Sequence, residues 1–303
     1  MTRTRIPLHP TIGNLNKTIS ITDVGMIMEA GSMGGNPSPI GGLRGKIKGW
    51  SSASRRRMRL FLITHRPKDD HVCFNSTLTI PGPVMSAEEW RVNGQRIFHA
   101  WHCFVLRQGW SCVWRLELQK RGQPHFHCLI GAPPETKVCA WWPETKCNQL
   151  WPSWQAIEGG WLQSLDVLGT KLSGCKGASE FAVKTESRSE VEHVWFRYMN
   201  DHVTKYKQEQ VAEGFGRHWG VIGRKHLQDR EPFFGQDLKP KEYACVCRWV
   251  GRWQRKRLKC PTDPRGYRYG KKSSRGRWGK SVWFGNPDVC LRMVLHALDL
   301  SNP

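Results

Sequence analysis

Two histidines flank a phenylalanine in the run Pro124-His125-Phe126-His127-Cys128. Successive side chains of an extended strand point to opposite faces, so His125 and His127 share one face and Phe126 and Cys128 the other. Two imidazoles on one face can hold one metal ion. The run ELQ just upstream offers Glu117 and Gln119, and directly opposed residues of an antiparallel pair share a face. A three-residue loop, Arg121 to Gln123, sets Glu117 opposite His127 and Gln119 opposite His125. A five-residue loop, Gln119 to Gln123, sets Glu117 opposite His125 instead. Either odd loop joins the carboxylate to the imidazoles, and an even loop turns it away. Two imidazoles and a carboxylate leave coordination positions open. They suit Mg²⁺ or Mn²⁺ holding a phosphate, and can also take Zn²⁺ or Fe²⁺. Histidines spaced this way are more often structural or surface residues, so the weight falls on the facing acid.

Farther along, Tyr198, His202 and Lys205 stand at i, i+4 and i+7 in a segment of helical pattern, VEHVWFRYMNDHVTKYKQEQ. They fall within an arc of about 60° on the helix wheel, so a phenol, an imidazole and an ammonium line one stripe. Tyr206 points elsewhere, about 80° around from Tyr198. A phenol beside a cation or a metal-bound phosphate can act as a nucleophile. The competing reading is a core tyrosine with snorkelling neighbours.

The elements that must position these groups are readable in outline. SSASRRRMRLFLITHR begins with capping serines and reads as a short basic helix at the edge of the fold. FNSTLTIPGP reads as a strand stopped by proline. Ser86 and Glu89 form a capping box, and Trp90, Ile97, Phe98, Trp101 and Val105 follow a helical period with a break at Asn93-Gly94. WSCVWRLELQKRGQPHFHCLIGA then reads as two strands around a turn. Strand, helix and hairpin in this order predict an α+β domain, a central antiparallel sheet with helices on one face. Residues 25–45 hold seven glycines and two prolines without periodicity, which predicts a flexible leader over residues 1–49, with order beginning near Trp50.

The chain of 303 residues carries 47 Lys plus Arg against 25 Asp plus Glu, a formal charge of +22 that calls for a polyanionic partner, nucleic acid first. From Arg248 to Lys280 the balance is +12 in 33 residues, interleaved with Trp249, Trp253, Tyr267, Tyr269 and Trp278. Cations beside flat aromatic faces suit a phosphate backbone and unstacked bases; the bland alternative is a solvated basic tail. Candidate DNA-binding residues are Arg55, Arg56, Arg57, Arg121, Arg217, Trp219, Arg224, Trp249, Arg252, Trp253, Arg255, Lys256 and Arg257. No apolar run is long enough to span a membrane and no apolar signal core follows Met1, so a cytoplasmic protein with reduced thiols is expected. No GxxxxGK[ST] loop is present, since Ser274 stands where Gly279-Lys280-Ser281 would need the first glycine.

TLTIP (Thr77 to Pro81), ELQKRGQPHFH (Glu117 to His127), YMNDHVTKYKQ (Tyr198 to Gln208) and GRHWGVIGR (Gly216 to Arg224) occur in the order seen in HUH-type rolling-circle replication initiators. The chain most resembles those of filamentous-type phages and related plasmids, over roughly Ser54 to Arg224. The resemblance implies an HUH endonuclease-like domain over residues 50–224; it does not reach residues 225–303, whose basic, aromatic-rich composition predicts a DNA-binding extension. It implies His125 and His127 as paired metal ligands, Glu117 as the third, and Tyr198 as a nucleophile that nicks one strand. The common YxxK pattern is altered, because Asp201 occupies the lysine position and Lys205 is the nearest cation on that face. Implied partners are single-stranded origin DNA and duplex in a bacterial cytoplasm, with a host helicase and DNA polymerase. Competing readings are a non-catalytic single-strand-binding or packaging protein, and a transposase or mobilisation relaxase of the same chemistry.

Overall fold

The computed structural model describes residues 17–30, 50–82, 85–119, 122–137, 150–169, 182–187, 215–257, 279–284 and 287–299. The chain divides into two compact units, one of residues 44–229 and one assembled from residues 1–43 and 230–303.

The first described elements form a hairpin, β1 (Lys17–Thr22) and β2 (Gly25–Ala30), within the stretch expected to be a flexible leader. The alternation in KTISIT and GMIME puts Ile19, Ile21, Met26 and Met28 on one buried face, which outweighs the glycine-rich composition of the surrounding stretch. The partners of this hairpin come from the far end of the chain. β12 (Phe234–Leu238) pairs with β1 and β13 (Gly279–Phe284) with β2, giving the antiparallel order β12-β1-β2-β13. Two helices supply the rest of the core. α5 (Pro240–Arg257) contributes Val246 and Val250, and α6 (Pro287–Asp299) contributes Cys290, Val294 and Ala297. Their spacings, i, i+4 and i, i+4, i+7, are those of one helix face. Buried Arg230 places Nη1 2.5 Å from Asp23 Oδ2, tying the tip of the hairpin to the entry of the carboxyl-terminal segment.

The 44–229 unit begins with α1 (Ser52–Thr64), whose Ser51 side chain accepts from the Ser54 amide. β3 (His65–Pro67) and β4 (Val72–Thr79) follow. The Ser86–Glu89 capping box forms and starts a short helix, α2 (Ala87–Glu89). It passes through one wide turn, Trp90–Gly94, into α3 (Gln95–Arg107). The wide turn lies where Asn93-Gly94 marked a break. It seats the Trp90 ring so closely over Gly94 that a β-carbon there would overlap the indole. Then come β5 (Ser111–Leu118), β6 (Pro124–Ala132), a small pair β7 (Glu135–Lys137) and β8 (Leu150–Pro152), α4 (Ser153–Asp166) and β9 (Val183–Ser187). β10 (Trp219–Ile222) and β11 (Leu227–Asp229) close the unit.

Five strands form one antiparallel sheet in the order β10-β5-β6-β4-β9. On one face Cys112, Trp114, Leu116, Phe126, Cys128 and Ile130 meet α3 and α4. Phe98 stacks on Phe126 at 4.8 Å between ring centroids, and Trp101 and Trp161 each stand 5.9 Å from a ring of this cluster or from one another. Helices were expected on one face alone, but α1 reaches the other. Trp219, on the same face as Arg115, donates Nε1–H to Ser54 Oγ at 3.0 Å, and its ring lies 6.1 Å from that of Phe61.

Two outcomes follow for stability. Gly223 sits at φ +64° where a β-carbon would overlap the Trp110 carbonyl, so Gly223→Ala lowers stability by about 1–3 kcal/mol in a denaturant titration. Deleting residues 1–30 removes both central strands of the smaller unit. Amides of α6 then lose their protection from hydrogen exchange, whereas those of β5 and β6 keep it.

Candidate active site

The site is built on the β5–β6 hairpin. The Gln119 amide donates to Gln123 O at 2.9 Å and the Gly122 amide to Gln119 O at 2.8 Å, with Gly122 at φ +80°. The turn is therefore the five-residue one. Glu117 pairs with His125, Arg115 with His127 and Leu118 with Pro124. From β4, Thr79 stands opposite His125 and Thr77 opposite His127. Because side chains alternate, Arg115, Glu117, His125, His127, Thr77 and Thr79 share the face away from Phe126 and Cys128.

This polar cluster is largely buried, with Arg115 at 2%, Glu117 at 7% and His127 at 3% exposure. Arg115 Nη1 lies 2.6 Å from Glu117 Oε1, and His127 Nε2 lies 3.4 Å from Glu117 Oε2. Each carboxylate oxygen thus has its own partner, one guanidinium and one imidazole. The ring of His125 stands 4.7 Å from that of His127, nearly perpendicular to it at 81°. Thr79 Oγ1 and Gln119 Nε2 lie 2.8 and 3.1 Å from His125 Nδ1. The Gln119 amide nitrogen can only donate, so with both contacts as placed Nδ1 accepts and the His125 proton sits on Nε2; turning the Gln119 amide end for end lets Nδ1–H donate and leaves the Nε2 lone pair for a metal.

One pair of these donors has the spacing that two ligands of a single divalent cation would show. Two donors each about 2.1 Å from one ion and separated by roughly 90–109° stand about 3.0–3.4 Å apart. The His127 Nε2 to Glu117 Oε2 distance, 3.4 Å, lies within that span. The carboxylate favours harder ions and the imidazoles borderline ones.

Sequence reasoning missed three neighbours. Arg115 is the charged residue two places before Glu117 in an otherwise apolar strand, a signal that alternation could have caught. Its guanidinium also lies 5.3 Å from the Trp50 ring centroid. Thr79 needs the β4–β6 register, which no local pattern gives. His218 packs by Trp50, with ring centroids 6.2 Å apart, and its carbonyl accepts from the Leu116 amide at 2.8 Å. Burial first, then the Arg115 charge, holds the His218 imidazole below its usual range, so it stays neutral.

Tyr198, His202, Lys205, Tyr206 and Arg121 lie outside the described residues, as do the side chains of Arg252, Trp253, Arg255, Lys256 and Arg257. Of the basic candidates, Arg56, Arg57, Arg217 and Arg224 are exposed, and the Arg224 guanidinium lies over the Phe61 ring at 5.6 Å. Arg55 is corrected. It is buried, at 7% exposure, because it faces inward on α1 where Arg56 and Arg57 face out. Trp249 is half-buried, its ring packed against the core of the smaller unit and edge-on to His296 at 4.6 Å. Trp219 is half-buried with its N–H engaged.

The chain is 28% identical over 236 residues to a protein of Xylella fastidiosa (strain 9a5c) named "Putative replication protein", covering 72% of this chain and 73% of that one. A second protein of that name, from strain Temecula1, is 28% identical over 200 residues, covering 62% of this chain and 65% of its own length. No known family profile matches the chain, and no solved structure matches it. Among the described residues no helix is long and apolar enough to cross a membrane.

Removing Arg115 strands a buried carboxylate. Arg115→Met lowers unfolding free energy by about 3–5 kcal/mol, while the double change Arg115→Met with Glu117→Leu recovers part of the loss, as read by chemical denaturation.

Proposed function

We propose that this chain serves DNA replication by nicking one strand of an origin, as a rolling-circle initiator of the HUH type. The observation that carries the reading is the β5–β6 register, which sets Glu117, His125 and His127 on one face of the sheet. The names of the two Xylella proteins supply replication as the setting. The net charge of +22 supports a polyanionic substrate. The Tyr198 assignment stands on the sequence pattern.

A divalent cation, Mg²⁺ or Mn²⁺, held by Glu117, His125 and His127 would supply Lewis-acid stabilisation of charge on the scissile phosphate. The chain's own groups orient and react. Arg115 holds one oxygen of Glu117 and so aims the other beside His127, and Thr79 holds the His125 ring through Nδ1. Tyr198, which the sequence pattern groups with His202 and Lys205, gives up its phenolic proton to solvent and attacks phosphorus in line. The bond from phosphorus to the 3′ oxygen breaks, and that oxygen takes a proton to become a free 3′ hydroxyl. The 5′ phosphate stays on Tyr198 as a phosphotyrosine. One phosphoester replaces another, so a later 3′ hydroxyl can reverse the attack and reseal the strand without ATP.

Exposed Arg56, Arg57, Arg217 and Arg224, with the basic stretch from Arg248 to Lys280, would bind phosphates without reading bases. A helicase and a polymerase from the host would unwind and extend from the 3′ end.

The test incubates purified protein with end-labelled single strands tiled across its encoding replicon, with Mn²⁺, Mg²⁺ or chelator. A cation-dependent covalent adduct carrying the strand 3′ of the nick is expected, and Tyr198→Phe abolishes it while keeping DNA affinity. Binding without an adduct on any tile, with supercoiled substrate also intact, replaces this reading with that of a non-catalytic single-strand-binding protein.

A further inference from the structure

The outer face of α3 carries a second set of donors, unlike the first in kind. His99, His102 and Cys103 stand at i, i+3 and i+4, which brings their side chains together on adjacent turns. The ligand atoms of all three lie within 4.8 Å of one another. His99 Nε2 is 3.6 Å from Cys103 Sγ, and the two imidazoles lie 6.3 Å apart with their planes 27° from parallel.

These separations suit one small cation. An ion with nitrogen at about 2.0–2.1 Å and sulfur at about 2.3 Å in tetrahedral array holds those two atoms about 3.5 Å apart. The observed 3.6 Å matches this for the His99–Cys103 pair, and the His102 donor lies within 4.8 Å of both. The donors are two nitrogens and a sulfur with no carboxylate, and α3 itself contains no acidic residue. Mg²⁺ and Mn²⁺ favour oxygen, whereas Zn²⁺, Co²⁺ and copper favour this set.

The position separates this cluster from the sheet histidines. α3 packs on the Phe126 face through Phe98, and His125 and His127 point to the opposite face, so the sheet stands between the two groups. Ile97, Trp101, Phe104 and Val105 occupy the buried side of α3, while His99 is exposed and His102 and Cys103 are half-buried. An ion from solvent can reach them.

We propose that His99, His102 and Cys103 form a binding site for a borderline-soft divalent cation of the zinc class, with a fourth position left to water or an external ligand. Bound there, the ion links successive turns of α3, whose other face anchors Trp101 in the core. Binding to the folded helix raises stability by mass action.

Full-length protein, stripped with chelator and kept reduced, is titrated with Co²⁺ as an optical probe and then with Zn²⁺. The expected result is a sulfur-to-cobalt charge-transfer band, lost when Zn²⁺ displaces Co²⁺, together with a higher thermal midpoint in Zn²⁺. Cys103→Ser abolishes the band, and His99→Ala weakens affinity by about tenfold or more. The band persists in the double change His125→Ala with His127→Ala, which separates this site from the sheet histidines. Absence of the band in the native protein overturns the proposal. Its survival in Cys103→Ser also overturns it, by placing the thiolate at another of the eleven cysteines.

Discussion

The pairing register of β5 and β6 is the constraint on which the site depends. Side chains alternate along both strands, so a slip of one residue would carry Glu117 or the histidines into the space filled by Phe126, Cys128 and Trp114. Two devices hold the register. The five-residue turn closes with hydrogen bonds at Gln119 and Gln123, and its Gly122 adopts a left-handed conformation that other residues resist. The opposite face adds a stronger restraint, because Phe126 is fitted among Trp90, Phe98, Trp114 and Trp161 and has no comparable place elsewhere.

With the register set, the sheet confronts an electrostatic problem on its other face. Charged and titratable groups are crowded where little water reaches. Isolated burial of a carboxylate is costly, and Glu117 avoids isolation by lying between Arg115 and His127. A hydrophobic trio would fill the same volume with less penalty, so the buried ion pair is held at a cost in local stability. The neutral His218 beside Arg115 fits the same logic, since a second cation there would raise the cost.

Much of this was legible in the sequence, for reasons that differ between elements. The capping box at Ser86 and the apolar period of α3 are local signals, and they stand where sequence placed them. The shared face of His125 and His127 follows from alternation alone. Which residue faces Glu117 did not follow, because two odd loop lengths satisfy the same pattern and only the folded turn chooses between them. Arg55 was grouped with Arg56 and Arg57 as one basic run, although a helix turns neighbours about 100° apart and sends one of the three inward. The amino-terminal hairpin was lost to composition. Ile19 and Ile21 do alternate with polar residues, but the strand is short and its outer partners lie some two hundred residues away, beyond any local signal.

That last arrangement has a consequence for biosynthesis. In the smaller unit the first strands made are the central ones, and the last made are the edges. As the chain leaves the ribosome, β1 and β2 emerge with both outer edges unpaired and with Ile19, Ile21, Met26 and Met28 uncovered. Roughly two hundred residues must follow before β12 arrives, which at about 5–20 residues per second is a wait of about 10–40 s. Meanwhile the 44–229 unit has all of its own strands and can fold first. Among the described strands, the nascent hairpin thus waits longest for its partners and stays open to mispairing and to chaperones, and a chain that ends before residue 234 carries β1 and β2 without β12 or β13.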